Sequence, residues 1–173
     1  MTAATHSQET VQMYRVYIQA TPEAIWDAIT QPEWTVRYGY APLVEYDLRP
    51  GGAFRAHAND GMKAFGCPEL ISDGEVIDAD PPYRLVQTYR MTMTPEMAAE
   101  GFTQLTYEIE PVRGGVTRLT VTHEVTGAPM WAAVLRGEGE AGGAGGGWNE
   151  TLSGLKTLLE TGRQLPFQSG PGK

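Results

Sequence analysis

From residue 43 to residue 125 the chain reads as six strands broken only by turn residues, and that run leaves few folds open. The segments are 43–48, 53–58, 70–79, 83–93, 102–110 and 116–125, each carrying alternating apolar and β-branched positions. Between them stand Arg49-Pro-Gly-Gly52, Asn59-Asp-Gly61, Asp80-Pro-Pro82 and Arg113-Gly-Gly115. Turn chemistry at such short intervals predicts an antiparallel meander. A sheet of this kind must bury one face, and the sequence offers one long helix to cover it. Trp148, Leu152, Leu155, Leu158 and Leu159 recur at helical spacing over 148–163, with Gly162 and Pro166 as stop signals. The expected class is α+β: a curved antiparallel sheet wrapped around a long C-terminal helix.

Ahead of the run, Tyr14, Val16 and Ile18 alternate with Met13, Arg15, Tyr17 and Gln19, which predicts a strand over 12–20. Thr21-Pro22-Glu23 opens a helix: a capping hydroxyl, a proline where its missing N–H costs nothing, and an acid in the first turn. Ile25, Trp26 and Ile29 form its apolar stripe. A second short helix is expected from Pro32, placing Trp34 and Tyr38 on one side. Residues 1–11 are expected to be a disordered lead-in, 12–167 a single domain and 168–173 a disordered tail.

Charge narrows the partners. The chain has 13 Lys and Arg against 21 Asp and Glu, a formal charge of −8. Nucleic-acid phosphates and anionic membranes would be repelled at long range. No run approaches the roughly 18–20 apolar residues of a membrane span, and the first residues lack the basic start and apolar stretch of a secretory signal. A cytoplasmic protein, monomeric or homodimeric, is the expectation. A lone cysteine, Cys67, excludes an intramolecular disulfide and a multi-cysteine zinc site.

Catalytic chemistry is poorly supplied. His6, His57 and His123 stand apart, so no metal site or cofactor is predicted. Strand parity points His57 outward. His123 shares the parity of Leu119, Val121 and Val125 and faces inward, either as a hydrogen-bonded core residue or as a proton-transfer group. Cys67 has no base near it in sequence, and no serine sits in a Gly-x-Ser-x-Gly turn. Seven of the 21 glycines fall within 137–147. That window superficially matches a phosphate loop, but Gly147 is followed by Trp148-Asn149 rather than Lys-Ser/Thr. Glu108 and Glu110 lie on the face opposite Leu105, Tyr107 and Ile109. What remains is an interior of Leu85, Gln87, Tyr89, Met91, Met93, Leu105, Tyr107, Ile109, Leu119, Val121 and His123. Those residues serve equally as a small-molecule pocket or as an ordinary core.

Four local motifs carry a resemblance. They are Tyr17-Ile-Gln-Ala-Thr-Pro-Glu-Ala-Ile-Trp26-Asp-Ala-Ile29, Asp47-Leu-Arg-Pro-Gly-Gly-Ala-Phe54, Gly74-Glu-Val-Ile-Asp-Ala-Asp-Pro-Pro-Tyr-Arg-Leu85 and Thr117-Arg-Leu-Thr-Val-Thr-His123, with Gly147-Trp148 before the last helix. In these and in element order, the chain resembles the START-like, Bet v 1-like (SRPBCC) helix-grip superfamily over roughly 12–163. Within it, the closest likeness is to the family named after the C-terminal domain of the activator of Hsp90 ATPase. The resemblance implies a deep cavity between the sheet and the C-terminal helix. Relatives bind lipids, hormones and polyketides, some are aromatase/cyclases, some are co-chaperones, and some protect antibiotic producers by holding the toxic product. Where common members carry paired tryptophans in the second helix, this chain has Val36-Arg-Tyr-Gly-Tyr40, which implies a more polar rim.

Three functions follow: a non-catalytic binder of a hydrophobic or aromatic small molecule, a cyclase/aromatase using His123 or Tyr107, and a module acting on Hsp90. The first is preferred. Its expected lining is Trp34, Tyr38, Tyr89, Met91, Tyr107, His123 and Trp148, with the 137–147 window as a flap over the entrance.

Overall fold

Thr21 both ends the first strand's territory and starts the first helix. The structure, a computed structural model, describes residues 10–138 and 146–166. Strand β1 (Val11–Ile18) alternates as expected, and α1 (Pro22–Thr30) follows, with the Thr21 hydroxyl accepting the Ala24 N–H at 3.2 Å. One further turn, α2 (Pro32–Thr35), leads to β2 (Leu43–Tyr46) and β3 (Ala53–His57). Then come α3 (Asp60–Ala64), β4 (Leu70–Asp80), β5 (Arg84–Met91), α4 (Pro95–Ala99), β6 (Thr103–Pro111) and β7 (Thr117–Glu124). Two helices close the chain, α5 (Pro129–Leu135) and α6 (Gly147–Thr161).

The strands form one antiparallel sheet of seven in the order β1-β7-β6-β5-β4-β3-β2. The meander therefore runs through the sheet in sequence, and β1 completes it by pairing with the last strand. Parity decides the buried face. In β6, Leu105, Tyr107 and Ile109 are buried while Glu108 and Glu110 are exposed. The inner face meets α1 through Ile25 and Ile29 and α6 through Leu152, Leu155 and Leu158, giving one continuous core. A smaller cluster of Val44, Phe54, Ala56, Ala58 and Ile71 lies at the β2–β4 end, and a third under α5 joins Val125, Ala132 and Leu135.

Three short helices depart from the expected meander. Asn59-Asp-Gly61 is a helix start and not a hairpin turn: the Asn59 side chain accepts the Met62 N–H at 2.9 Å and donates to the Tyr40 and Ala41 carbonyls. Thr94-Pro95-Glu96 opens α4 with the same capping pattern as Thr21-Pro22-Glu23. After Glu124 the sheet ends, and α5 begins at Pro129 with no side-chain cap of its own. Glu100 supplies one from α4's end, its carboxylate accepting the N–H groups of Met130 (2.8 Å) and Trp131 (3.0 Å). The lead-in, the whole 168–173 tail and most of the glycine window lie outside the described residues, apart from Thr10 and Val11, where β1 and its flank already begin.

The window's ends are described, and they meet. A Cβ on Gly137 would lie 3.2 Å from the Gly146 carbonyl oxygen, so the chain leaves α5 and returns to α6 at nearly one point. Gly147 has φ +64°, and a Cβ there would sit 2.1 Å from the Leu135 carbonyl oxygen. Gly114 shares the left-handed backbone, at φ +65°, with nothing within 4 Å. Gly114→Ala should therefore cost about 1–2 kcal/mol from backbone strain alone. Gly147→Ala adds a clash with backbone and should lose about 3 kcal/mol or more. Urea denaturation of both variants measures the difference; equal losses would show that the close approach at Gly147 carries no energy.

Candidate ligand-binding site

A cavity of about 230 Å³ lies between the sheet and the N-terminal half of α6. The floor comes from the inner face: Val44 and Tyr46 of β2, Phe54 and Ala56 of β3, Ile71 and Ser72 of β4, Tyr89 and Met91 of β5, Tyr107 of β6 and Leu119 of β7. Trp148, Thr151, Leu152 and Leu155 of α6 cover it. Tyr38, Tyr40 and Pro42 close one side, and Trp131, Val134 and Leu135 of α5 the other. Among the described residues no lining side chain is charged.

The cover is fastened at several points. Glu100 holds the start of α5. At its far side the Gln12 amide donates to the Ala132 carbonyl (2.9 Å) and the Tyr14 hydroxyl to the Leu135 carbonyl (3.2 Å). At the start of α6 the Gly147 N–H donates to the Tyr40 hydroxyl oxygen (3.1 Å), and the Gly146 N–H donates to the Glu150 carboxylate (2.6 Å). That reach-back satisfies a helix-terminal donor with an acid where the dipole favours one.

Tyrosine gives the cavity its chemistry. The Tyr38 hydroxyl donates to the Ala28 carbonyl (2.8 Å) and that of Tyr46 to Gln87 Oε1 (2.6 Å). Tyr89 engages Ser72 and stacks on Trp131, with ring centres 5.5 Å apart and planes 7° from parallel. Among the described residues the Tyr107 hydroxyl has no hydrogen-bond partner. Burial pushes the hydroxyls of Tyr38, Tyr46 and Tyr107 well above the ordinary phenol value, and that of Tyr89 up to about 12. Ionising Tyr46 is further opposed by Tyr38 and Tyr89, and ionising Tyr107 by all three of the others. At neutral pH the wall is a set of intact phenols.

Five of the seven residues expected to line a pocket do so: Tyr38, Tyr89, Met91, Tyr107 and Trp148. Tyr38 is wall rather than rim, since it is buried with its hydroxyl turned to backbone. Trp34 and His123 are not among the lining residues. Trp34 packs on the core from α2, with the Arg37 guanidinium 4.8 Å above its ring. His123 is fully buried behind the aromatic wall, edge-on to Tyr89, Trp131 and Trp148. Its Nε2 meets Thr103 Oγ1 at 2.7 Å, and Nδ1 accepts the Trp148 indole N–H at 3.4 Å. Thr103 in turn donates to the Tyr89 carbonyl at 2.9 Å. Both ring nitrogens are thus spent on the scaffold, with Nε2 carrying the proton in the arrangement this network requires. Trp131, Tyr40 and Tyr46 were missed as lining. Tyr46 shares the parity of Val44 and was legible; Trp131 depends on where Glu100 pins α5.

Among the described residues, no group of three or more His, Cys, Asp or Glu could hold a metal ion, and no helix is long and apolar enough to cross a membrane.

A curved antiparallel sheet closed by a C-terminal helix over an interior cavity defines the helix-grip class. Residues 19–160 match the family described as Activator of Hsp90 ATPase homolog 1-like protein, and the chain belongs to that family. Similar solved structures include CalU16 from Micromonospora echinospora, 19% identical with a TM-score of 0.59 over 91% of this chain and 78% of that one. The Aha1 dimer from Colwellia psychrerythraea is 18% identical, with a TM-score of 0.62 over 88% and 97% of the two chains. DynU16, described as a putative protein in the dynemicin biosynthetic locus, is 20% identical with a TM-score of 0.60 over 90% of this chain and 49% of that one. No curated protein sequence matches significantly.

The buried imidazole makes a pH prediction. Burial lowers the His123 pKa to about 3, and the groups around it are Thr103 and three aromatic rings, none charged. An unfolded histidine titrates near about 6.5, so between those values the unfolded chain binds a proton that the folded chain refuses. The contribution is complete above the upper value and falls by about 1.4 kcal/mol per unit as pH drops toward the lower one. In His123→Leu that one-proton slope should vanish from urea-denaturation stabilities measured between pH values of about 4.5 and 7. An unchanged slope would remove His123 as its source.

Proposed function

We propose that this chain binds a hydrophobic or aromatic small molecule, without turning it over, in the cavity between the sheet and α6. The observation that carries the reading is the cavity's lining: aromatic and aliphatic, uncharged, with a few hydroxyls placed among apolar walls. Ligand sites have this composition, because apolar burial supplies affinity and sparse polar groups supply orientation. Sequestration of a secondary metabolite, of the self-resistance type, fits the reading. It is supported by a structural relative that comes from the dynemicin biosynthetic locus.

The cyclase alternative asked His123 or Tyr107 to move a proton. His123 lies behind the wall with both nitrogens engaged, and its low pKa leaves it a poor base near neutrality. Tyr107 is held firmly protonated by burial. Neither is poised for acid–base exchange, which favours binding over catalysis.

Native mass spectrometry of the protein recovered from its own host's extract tests the reading. One recurring adduct mass is expected, lost on denaturation and chemically unchanged on release. Ala56→Phe fills the floor of the cavity, at an overpacking cost of about 1–3 kcal/mol, and should keep a cooperative melt while losing the adduct. An empty wild-type protein, a released molecule chemically altered by the protein, or stimulation of Hsp90 ATPase by adduct-free protein would each overturn it.

A further inference from the structure

We infer that the cavity selects an uncharged, planar aromatic ligand bearing a hydrogen-bond acceptor, such as a ketone or quinone oxygen, which the Tyr107 hydroxyl receives. The inference rests on the small-molecule reading above and narrows its ligand.

Charge comes first. A carboxylate, sulfonate or ammonium entering this space would give up its water and find no counter-ion among the described residues, none of whose lining side chains is ionised. The surrounding phenols cannot compensate by ionising, because burial and one another hold them neutral. A cation would therefore find no phenolate, and an anion would find no positive group.

Shape comes next. The Trp131 ring stacks almost parallel on Tyr89, and Phe54 lies 5.6 Å from the same tyrosine at 31°. With Trp148 and the other tyrosines these rings make much of the lining aromatic, a wall that pairs favourably with an aromatic ligand. A volume of about 230 Å³ limits the ligand to a small molecule, of the size of two or three rings.

Hydrogen-bond accounting gives the acceptor. The protons of Tyr38 and Tyr46 are already donated, to Ala28 and Gln87. Donors at the cavity without an acceptor among the described residues include the Tyr107 and Thr151 hydroxyls and the Trp131 indole N–H, which is buried without a partner. Unpaired donors in an apolar wall are costly, and the ligand that relieves them is one that accepts. Tyr107 is better placed than the enclosed Trp131 N–H, since it lies on the cavity floor with its ring edge-on to the Trp148 ring that covers the space, 6.0 Å between centres.

Three fluorescent naphthalenes separate the parts of this inference: neutral N-phenyl-naphthylamine, its anionic relative anilinonaphthalene sulfonate, and the neutral ketone Prodan, whose emission reports hydrogen bonding to its carbonyl. The full chain should bind the neutral amine at least about a hundredfold more tightly than the sulfonate. Tyr107→Phe should weaken Prodan about tenfold and shift its bound emission to the blue. The same substitution should leave the amine within about twofold, which also reports that the variant is folded. Equal binding of amine and sulfonate would overturn the charge selection, and it needs no variant. Prodan binding and emission unchanged by Tyr107→Phe would overturn the role of Tyr107. Failure of both neutral probes to bind wild-type protein would instead sink the small-molecule reading itself.

Discussion

The longest helix, α6, is shorter than the sheet it covers is wide. At about 1.5 Å per residue, the 15 residues of α6 span about 22 Å, whereas seven strands at about 4.8 Å spacing extend about 29 Å. The strands must curl around the helix to bury their inner face, and even then the fit cannot be complete everywhere. Leu158 and Leu155 close the gap where α6 meets the core shared with β1 and α1. Nearer its N-terminus the helix stands off the floor formed by β2–β7, and the cavity is that remaining space. It arises from the architecture, and the side chains around it decide what it can hold.

Those side chains divide the labour by depth. Tyr38, Tyr46 and Tyr89 use their hydroxyls on the protein and so fix the positions of their rings. Behind them the chain from Trp148 through His123 and Thr103 to the Tyr89 carbonyl ties the helix start to the sheet. A histidine there is unusual only if it is asked to do chemistry. As a neutral ring with one donor and one acceptor, it joins an indole N–H to a hydroxyl in a place where a charged or purely apolar group would leave one of them unpaired.

Much of this was legible in the sequence, for reasons that differ by element. Strand parity in β6 and β7 announced the inner face because alternation survives any detail of packing, and Thr21-Pro22-Glu23 announced α1 because capping is local. α4 carries that same local signal at Thr94-Pro95-Glu96, but its five residues bury nothing and so lack the apolar stripe that marks a helix. α5 is harder, since its cap comes from Glu100, some thirty positions upstream, and no local pattern contains it. The site shows the same divide. Parity places His123 inside but is silent on whether inside means facing the cavity or lying behind its wall. Trp34 sits at helical spacing from Tyr38, yet α2 is a single turn, and the chain bends before that spacing can put both rings on one surface.

The meeting of Gly137 and Gly146 has a consequence for how such a protein can change. Where a segment's two ends are far apart, its length is dictated by the distance to be bridged. Here the ends nearly touch, so the scaffold sets no minimum reach for what lies between them. Lengthening such a segment carries only a closure entropy that grows slowly, about 0.6 kcal/mol per doubling. Both ends also adjoin cavity-lining residues, Leu135 on one side and Gly147 and Trp148 on the other. The fold thus keeps a length-tolerant insertion point beside a geometrically fixed pocket, and the chain there is free to diversify without disturbing the sheet that supports it.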